Sequence, residues 1–192
     1  MRVFLALPLP REPLADLQQA LPELPAGARP VTADRLHITL AFYGDLPDRA
    51  VPRLVTRLTR AAGRTAPMWL RLAGAGTFPR HARAARLLWV GVGGDGSRLA
   101  RAAASAAAAG RRVGADVDDR RFRPHVTVAR SRGELDWSRV VGGLEGYHGP
   151  EWLAGGYTLF ASELGPTPRY QTLADIAWRA PPAEGQESRS TT

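Results

Sequence analysis

Four histidines occur in this chain, and two of them stand in matched surroundings. Residues 35–41 read Arg-Leu-His-Ile-Thr-Leu-Ala, and residues 123–129 read Arg-Pro-His-Val-Thr-Val-Ala. Arg, His, Thr and Ala agree in place, and aliphatic residues flank each threonine. Both segments are β-prone, and in a strand alternate side chains share a face. His37 and Thr39 therefore fall on one face, with Ile38 and Leu40 on the other. His125 and Thr127 oppose Val126 and Val128 in the same way. Each copy offers a polar pair on one side and an anchor for a core on the other. Arg35 and Arg123 join the polar face if the strands reach back that far, with Pro124 able to bend the second copy.

Two such faces related by a pseudo-twofold axis would enclose two imidazoles, two hydroxyls and nearby guanidinium groups. That set suits phosphoryl chemistry. A neutral imidazole takes a proton from water while a protonated one gives a proton to the leaving oxygen. Histidine populates both states near neutral pH. Threonine hydroxyls can donate to the non-bridging oxygens, where charge resides in the transition state. A lone histidine in a strand is more often structural; a matched pair is not. His81 and His148 have no comparable context.

The elements that must position this pair are legible in outline. Strands are expected over 2–7, 36–42, 68–73, 86–92, 125–129, 157–164 and 170–178. The last two form a closing pair, with Gly165-Pro166 in the turn. Leu14, Leu17 and Leu21 mark a helix over 11–21. A second helix carries Val51, Leu54, Val55 and Leu58 on one stripe, capped by Asp48 and stopped at Gly63. Asp95 or Ser97 caps an alanine-rich third helix, with Gly110 as its stop. The glycine-rich link after residue 73 reads as a loop, and 133–152 as an irregular connection. This alternation predicts an α+β fold of mostly antiparallel strands with helices packed outside. Residues 1–179 would form one domain, and the apolar-poor tail over 180–192 would be disordered.

Charge and composition narrow the function. The net charge of +8 points to a polyanionic partner. All 26 basic residues are Arg, a choice that reads as the codon bias of a GC-rich genome, whereas the surplus of positive charge does not. The absence of cysteine excludes disulfides, thiolate nucleophiles and Cys-ligated metals. No apolar run approaches the roughly 20 residues of a membrane span. The proline-interrupted N-terminus reads as a first strand rather than a signal peptide. A cytoplasmic, monomeric protein without membrane partner, metal or cofactor is expected.

The paired motifs, HITL at 37–40 and HVTV at 125–128, resemble the signature of the two-histidine (2H) phosphoesterases. The likeness extends over roughly residues 2–178, through the opening strand RVFLALPLP, the central strand RLLWVGV and a closing hairpin. It is nearest to the LigT-like group of RNA 2′,3′-cyclic phosphodiesterases, also described as 2′-5′ RNA ligases. The resemblance implies a bilobal, two-sheet fold with a central cleft. It implies metal-free hydrolysis of the 2′,3′-cyclic phosphate at an RNA end to a 2′-phosphomonoester. His37, Thr39, His125 and Thr127 fall on the motif positions, Arg130 on an expected phosphate contact, and Tyr170 on an aromatic of the hairpin. Whether Tyr170 lines the cleft or packs in the core is left open.

Related readings keep the same site. Small nucleotide-derived cyclic phosphates are an alternative substrate, 2′-5′ ligation is the reverse reaction, and a non-catalytic RNA-end binder is the weakest option. Linear charge offers a hint about roles. Arg120, Arg121, Arg123 and Arg130 crowd the second motif and would keep His125 neutral as the base. Asp34 and Asp45 flank the first and would keep His37 protonated as the acid.

Overall fold

The computed structural model describes residues 1–118, 120–163 and 169–179. Among these residues the chain forms strand β1 (Arg2–Pro8), helix α1 (Arg11–Ala20), and strands β2 (Arg29–Pro30) and β3 (His37–Asp45). Helix α2 (Val51–Ala62), strands β4 (Met68–Phe78) and β5 (Ala85–Gly94), and helix α3 (Gly96–Arg111) follow. Strand β6 (His125–Leu135), helix α4 (Ser138–Gly143), and strands β7 (Trp152–Ala154), β8 (Gly156–Glu163) and β9 (Arg169–Ala177) complete it.

The strand order is β7-β4-β5-β6-β3-β1-β8-β9, with β2 added on β6. Every strand pairing among the described residues is antiparallel. The order places the two motif strands at the centre, with four strands in each half. The halves meet at one pair, Ile38 opposite Val126, so the two expected sheets join into one nine-stranded sheet. The α+β, antiparallel expectation holds.

The core lies on the face opposite the histidines. Ile38, Leu40, Val126 and Val128 are buried there, as their alternation with polar neighbours requires. Helix α3 covers β3 with Leu99, Ala102, Ala103, Ala106 and Ala109, small side chains that let it approach closely. Tyr43 of β3 donates from its hydroxyl to the Ala106 carbonyl at 3.2 Å. Gly110 lies inside α3 rather than stopping it. A Cβ there would sit 2.5 Å from Cδ1 of Tyr43, so the glycine makes room for that ring. Tyr157 donates to the Leu58 carbonyl at 2.7 Å and ties α2 to β8.

Several local expectations change. Asp48 begins a 3-10 turn and caps nothing through its side chain; Ala50 holds the N-cap position of α2. Asp95 is the N-cap residue of α3, but its carboxylate accepts from the Trp69 amide instead of the helix amides. The stretch 74–78 belongs to β4, with Gly74 at φ 61° absorbing a register shift against β5. The supposed irregular connection over 133–152 contains the end of β6, helix α4 and the start of β7. Trp137 anchors α4, fully buried, with Nε1 donating to the Ala85 carbonyl at 2.8 Å. The Gly165-Pro166 turn and the tail from residue 180 lie outside the described residues.

Candidate active site

Antiparallel pairing of Ile38 with Val126 sets His37 beside Thr127, and Thr39 beside His125, on the open face of the sheet. All four side chains are half-buried. Neither threonine hydroxyl has a side-chain hydrogen bond among the described residues.

The histidines are held by one repeated device. Nδ1 of His37 lies 2.7 Å from the carbonyl oxygen of Arg35, and Nδ1 of His125 lies 2.7 Å from that of Arg123. A carbonyl only accepts, so Nδ1 carries the hydrogen in both rings. That leaves Nε2 as the titrating nitrogen of each. Aromatic rings pack around them. Phe4 and Tyr170 flank His37, with centroids 5.1 and 5.6 Å away. Phe78 and Trp89 flank His125 at 5.4 and 6.2 Å.

A second repeated device acts further along the strands. Thr39 pairs with Ala6 and Ala41 with Leu5, so Leu40 is an extra residue in β3. Thr127 pairs with Trp89 and Ala129 with Leu88, so Val128 is extra in β6. These bulges bury two successive residues in each strand, Leu40 and Ala41, then Val128 and Ala129. Past each bulge the alternation is reversed. Phe42 and Arg130 therefore emerge on the histidine face. Phe42 is 42% exposed and stacks beside Phe4. Arg130 is exposed, and its charge acts on both histidines.

The local electrostatics lower both imidazoles. Burial pushes His37 down to about 4; Arg130, Arg35 and His125 add to this, and the bond to the Arg35 carbonyl opposes it. His125 is lowered by burial first and by Arg130 second. Asp34 and Asp45 are not among the groups that shift His37, so the linear-charge argument for a protonated His37 fails. Asp45 lies at the far end of β3, and Asp34 sits in the 3-10 turn Ala33–Arg35. Nor do the arginines crowding the second motif act as expected: of that group only Arg130 shifts His125, and Arg120 pairs with Asp118.

The strands begin at His37 and His125, so Arg35 and Arg123 precede them rather than extend their polar face. Both still reach the site. The Arg35 guanidinium lies 5.2 Å over the Tyr170 ring, and Arg123 lines a cleft beside His125. Tyr170 is half-buried, edge-on to Phe4 and His37, so it walls the site on the first-motif side. Among the described residues no group of three or more His, Cys, Asp or Glu is arranged to hold a metal ion. No described helix is long and apolar enough to cross a membrane.

The family described as LigT-like phosphoesterase matches this chain over residues 7–89. A Thermus thermophilus protein named RNA 2′,3′-cyclic phosphodiesterase is 33% identical over 186 residues, covering 93% of this chain and 91% of that protein. The chain belongs to the LigT-like phosphoesterases. A solved Thermus thermophilus structure superposes on this one with a TM-score of 0.77 at 28% identity, covering 94% of this chain and 99% of the other. Escherichia coli LigT complexed with 3′-AMP gives a TM-score of 0.68 at 27% identity, covering 92% and 96%.

In this LigT-like phosphoesterase the structure gathers His37, Thr39, His125, Thr127 and Arg130 on one face, with Arg35, Arg123 and Tyr170 at its margins. Sequence reasoning passed over Phe42, Phe78 and Trp89. Phe42 and Arg130 follow the two motifs at the same offset, and that symmetry was the available signal for Phe42. Phe78 and Trp89 carried no signal, because only strand pairing brings them to His125.

Proposed function

We propose that the protein hydrolyses the 2′,3′-cyclic phosphate at an RNA end to a 2′-phosphomonoester, with His37 and His125 as acid–base pair and without a metal. The observation that carries this reading is the repeated Nδ1–carbonyl bond, which leaves two equivalent Nε2 atoms as the titrating groups of one face. The names of the relatives support the RNA substrate. The 3′-AMP complex of E. coli LigT supports a site that accepts a ribonucleoside phosphate.

In the proposed reaction, water attacks the phosphorus and gives its proton to Nε2 of the neutral imidazole. The bond from phosphorus to the 3′ oxygen breaks on the opposite side. That oxygen takes a proton from Nε2 of the protonated imidazole. The products are a 2′-phosphomonoester and a 3′-hydroxyl. Thr39 and Thr127 donate to the non-bridging oxygens, and Arg130 neutralises their charge. The arriving phosphate anion raises both imidazoles from their lowered values, which populates the acid form when substrate is present.

The test is incubation of an RNA bearing a 2′,3′-cyclic phosphate with the protein in excess chelator. A 2′-phosphate product at full rate is expected. A 3′-phosphate product, or activity lost to the chelator and restored by zinc, manganese or magnesium, would overturn the scheme.

A further inference from the structure

The two histidines differ in what lies beside them. The His37 side is walled by Tyr170, with the Arg35 guanidinium lying over its ring. The His125 side opens into a cleft of about 580 Å³, within the size range of small-ligand sites. Phe78 and Trp89 line it together with Arg80, Arg121 and Arg123.

Its aromatic wall is fixed in place. The rings of Phe78 and Trp89 lie 5.7 Å apart. The Trp89 indole lies against Gly76 of β4, where a Cβ would come within 2.3 Å of Cζ2. An indole held close against a strand by a missing side chain offers a stacking surface. Arg80, Arg121 and Arg123 are exposed, and none has a carboxylate partner among the described residues. Three like charges around one cleft repel one another and gain from an anion between them.

The reacting cyclic phosphate is a single anion, already addressed by the histidines, the threonines and Arg130. Three further guanidinium groups call for more phosphate. A nucleoside cyclic phosphate has none to offer, whereas an RNA strand has a phosphodiester one nucleotide back from its end. We propose that this cleft is a strand subsite. It takes the nucleotide on the 5′ side of the cyclic phosphate, with a base on the Phe78–Trp89 wall and a phosphodiester among Arg80, Arg121 and Arg123. The proposal rests on the cyclic phosphodiesterase reading and adds that the enzyme selects a strand over a mononucleotide.

The experiment compares cytidine 2′,3′-cyclic phosphate with a trinucleotide ending in the same group. The parent is expected to show at least tenfold higher kcat/KM on the trinucleotide. The double variant Arg80→Ala/Arg121→Ala should lose most of that advantage through KM, and its salt dependence on the trinucleotide should flatten. Its turnover of the cytidine compound should stay within twofold, which also establishes that it is folded. Equal parental kcat/KM on both substrates, or a variant that loses both equally or neither, overturns the subsite. A parent that hydrolyses neither compound overturns the cyclic phosphodiesterase reading itself, and the subsite with it.

Discussion

Phe42 and Arg130 occupy the same place in the two motif strands, each emerging on the histidine face just past a one-residue bulge. The backbone device is symmetric and the side chains are not. One half presents an aromatic ring, the other the guanidinium whose charge reaches both histidines.

Arg130→Ala should therefore act twice. In the proposed reaction Arg130 makes a charge-assisted contact to the phosphate, and its loss should remove about 2 kcal/mol of transition-state stabilisation, roughly thirtyfold in kcat/KM. Removal of its charge also raises both histidines, because Arg130 lowers both. The pH optimum of kcat/KM reports the free enzyme, so it should lie below 6.5 in the parent and move upward in the variant. Steady-state kinetics from acid to mildly alkaline pH checks this. A variant with the parental optimum would place Arg130 away from the pair.

His37→Ala and His125→Ala should each remove most turnover, about a hundredfold or more for a lost general acid or base. The double variant should be little worse than either single, because in the proposed reaction the two act in one step. Single-turnover rates on a cyclic-phosphate oligonucleotide measure both effects. A single variant within about tenfold of the parent would remove that histidine from the reaction.

Much of this site could be read from residue order alone, and its limits have physical causes. Strict alternation placed His37 and Thr39 together, and correctly buried Ile38 and Leu40. The same alternation would send Arg130 to the core face with Val126 and Val128. Only the ladder against β5 reveals that Val128 is an extra residue. Gly74 and Gly76 made 74–78 look like a loop. In the sheet Gly74 absorbs a register shift and Gly76 accommodates the Trp89 ring, roles that need a partner strand to exist. Charges near in sequence misjudged His37, because Asp45 lies at the other end of its strand while Arg130, far along the chain, is close.

Thr39→Val and Thr127→Val keep the shape of a strand residue and delete one hydroxyl. Each should cost about 3 kcal/mol of transition-state stabilisation, comparable to a lost oxyanion donor. Stability should change little, since neither hydroxyl has a side-chain partner to lose among the described residues. Parallel kinetics and urea melts separate the two effects. Unchanged kinetics in both variants would mean that other groups hold the phosphate.

The burial that lowers the His37 pKa should also make the fold acid-sensitive. Its pKa is about 4 in the folded chain, against 6.5 for an unperturbed histidine. The unfolded chain therefore binds the proton more readily than the folded chain as pH falls from 6.5 toward 4. Stability must drop across that window and level off below it. Between about pH 7 and about pH 5 this one group accounts for about 2 kcal/mol. His37→Gln has no proton to bind, so its stability should fall less over the same interval, by about that amount. Urea denaturation of both proteins at the two pH values gives the comparison directly. Equal losses in parent and variant would show that His37 titrates in the folded protein much as it does in the unfolded chain.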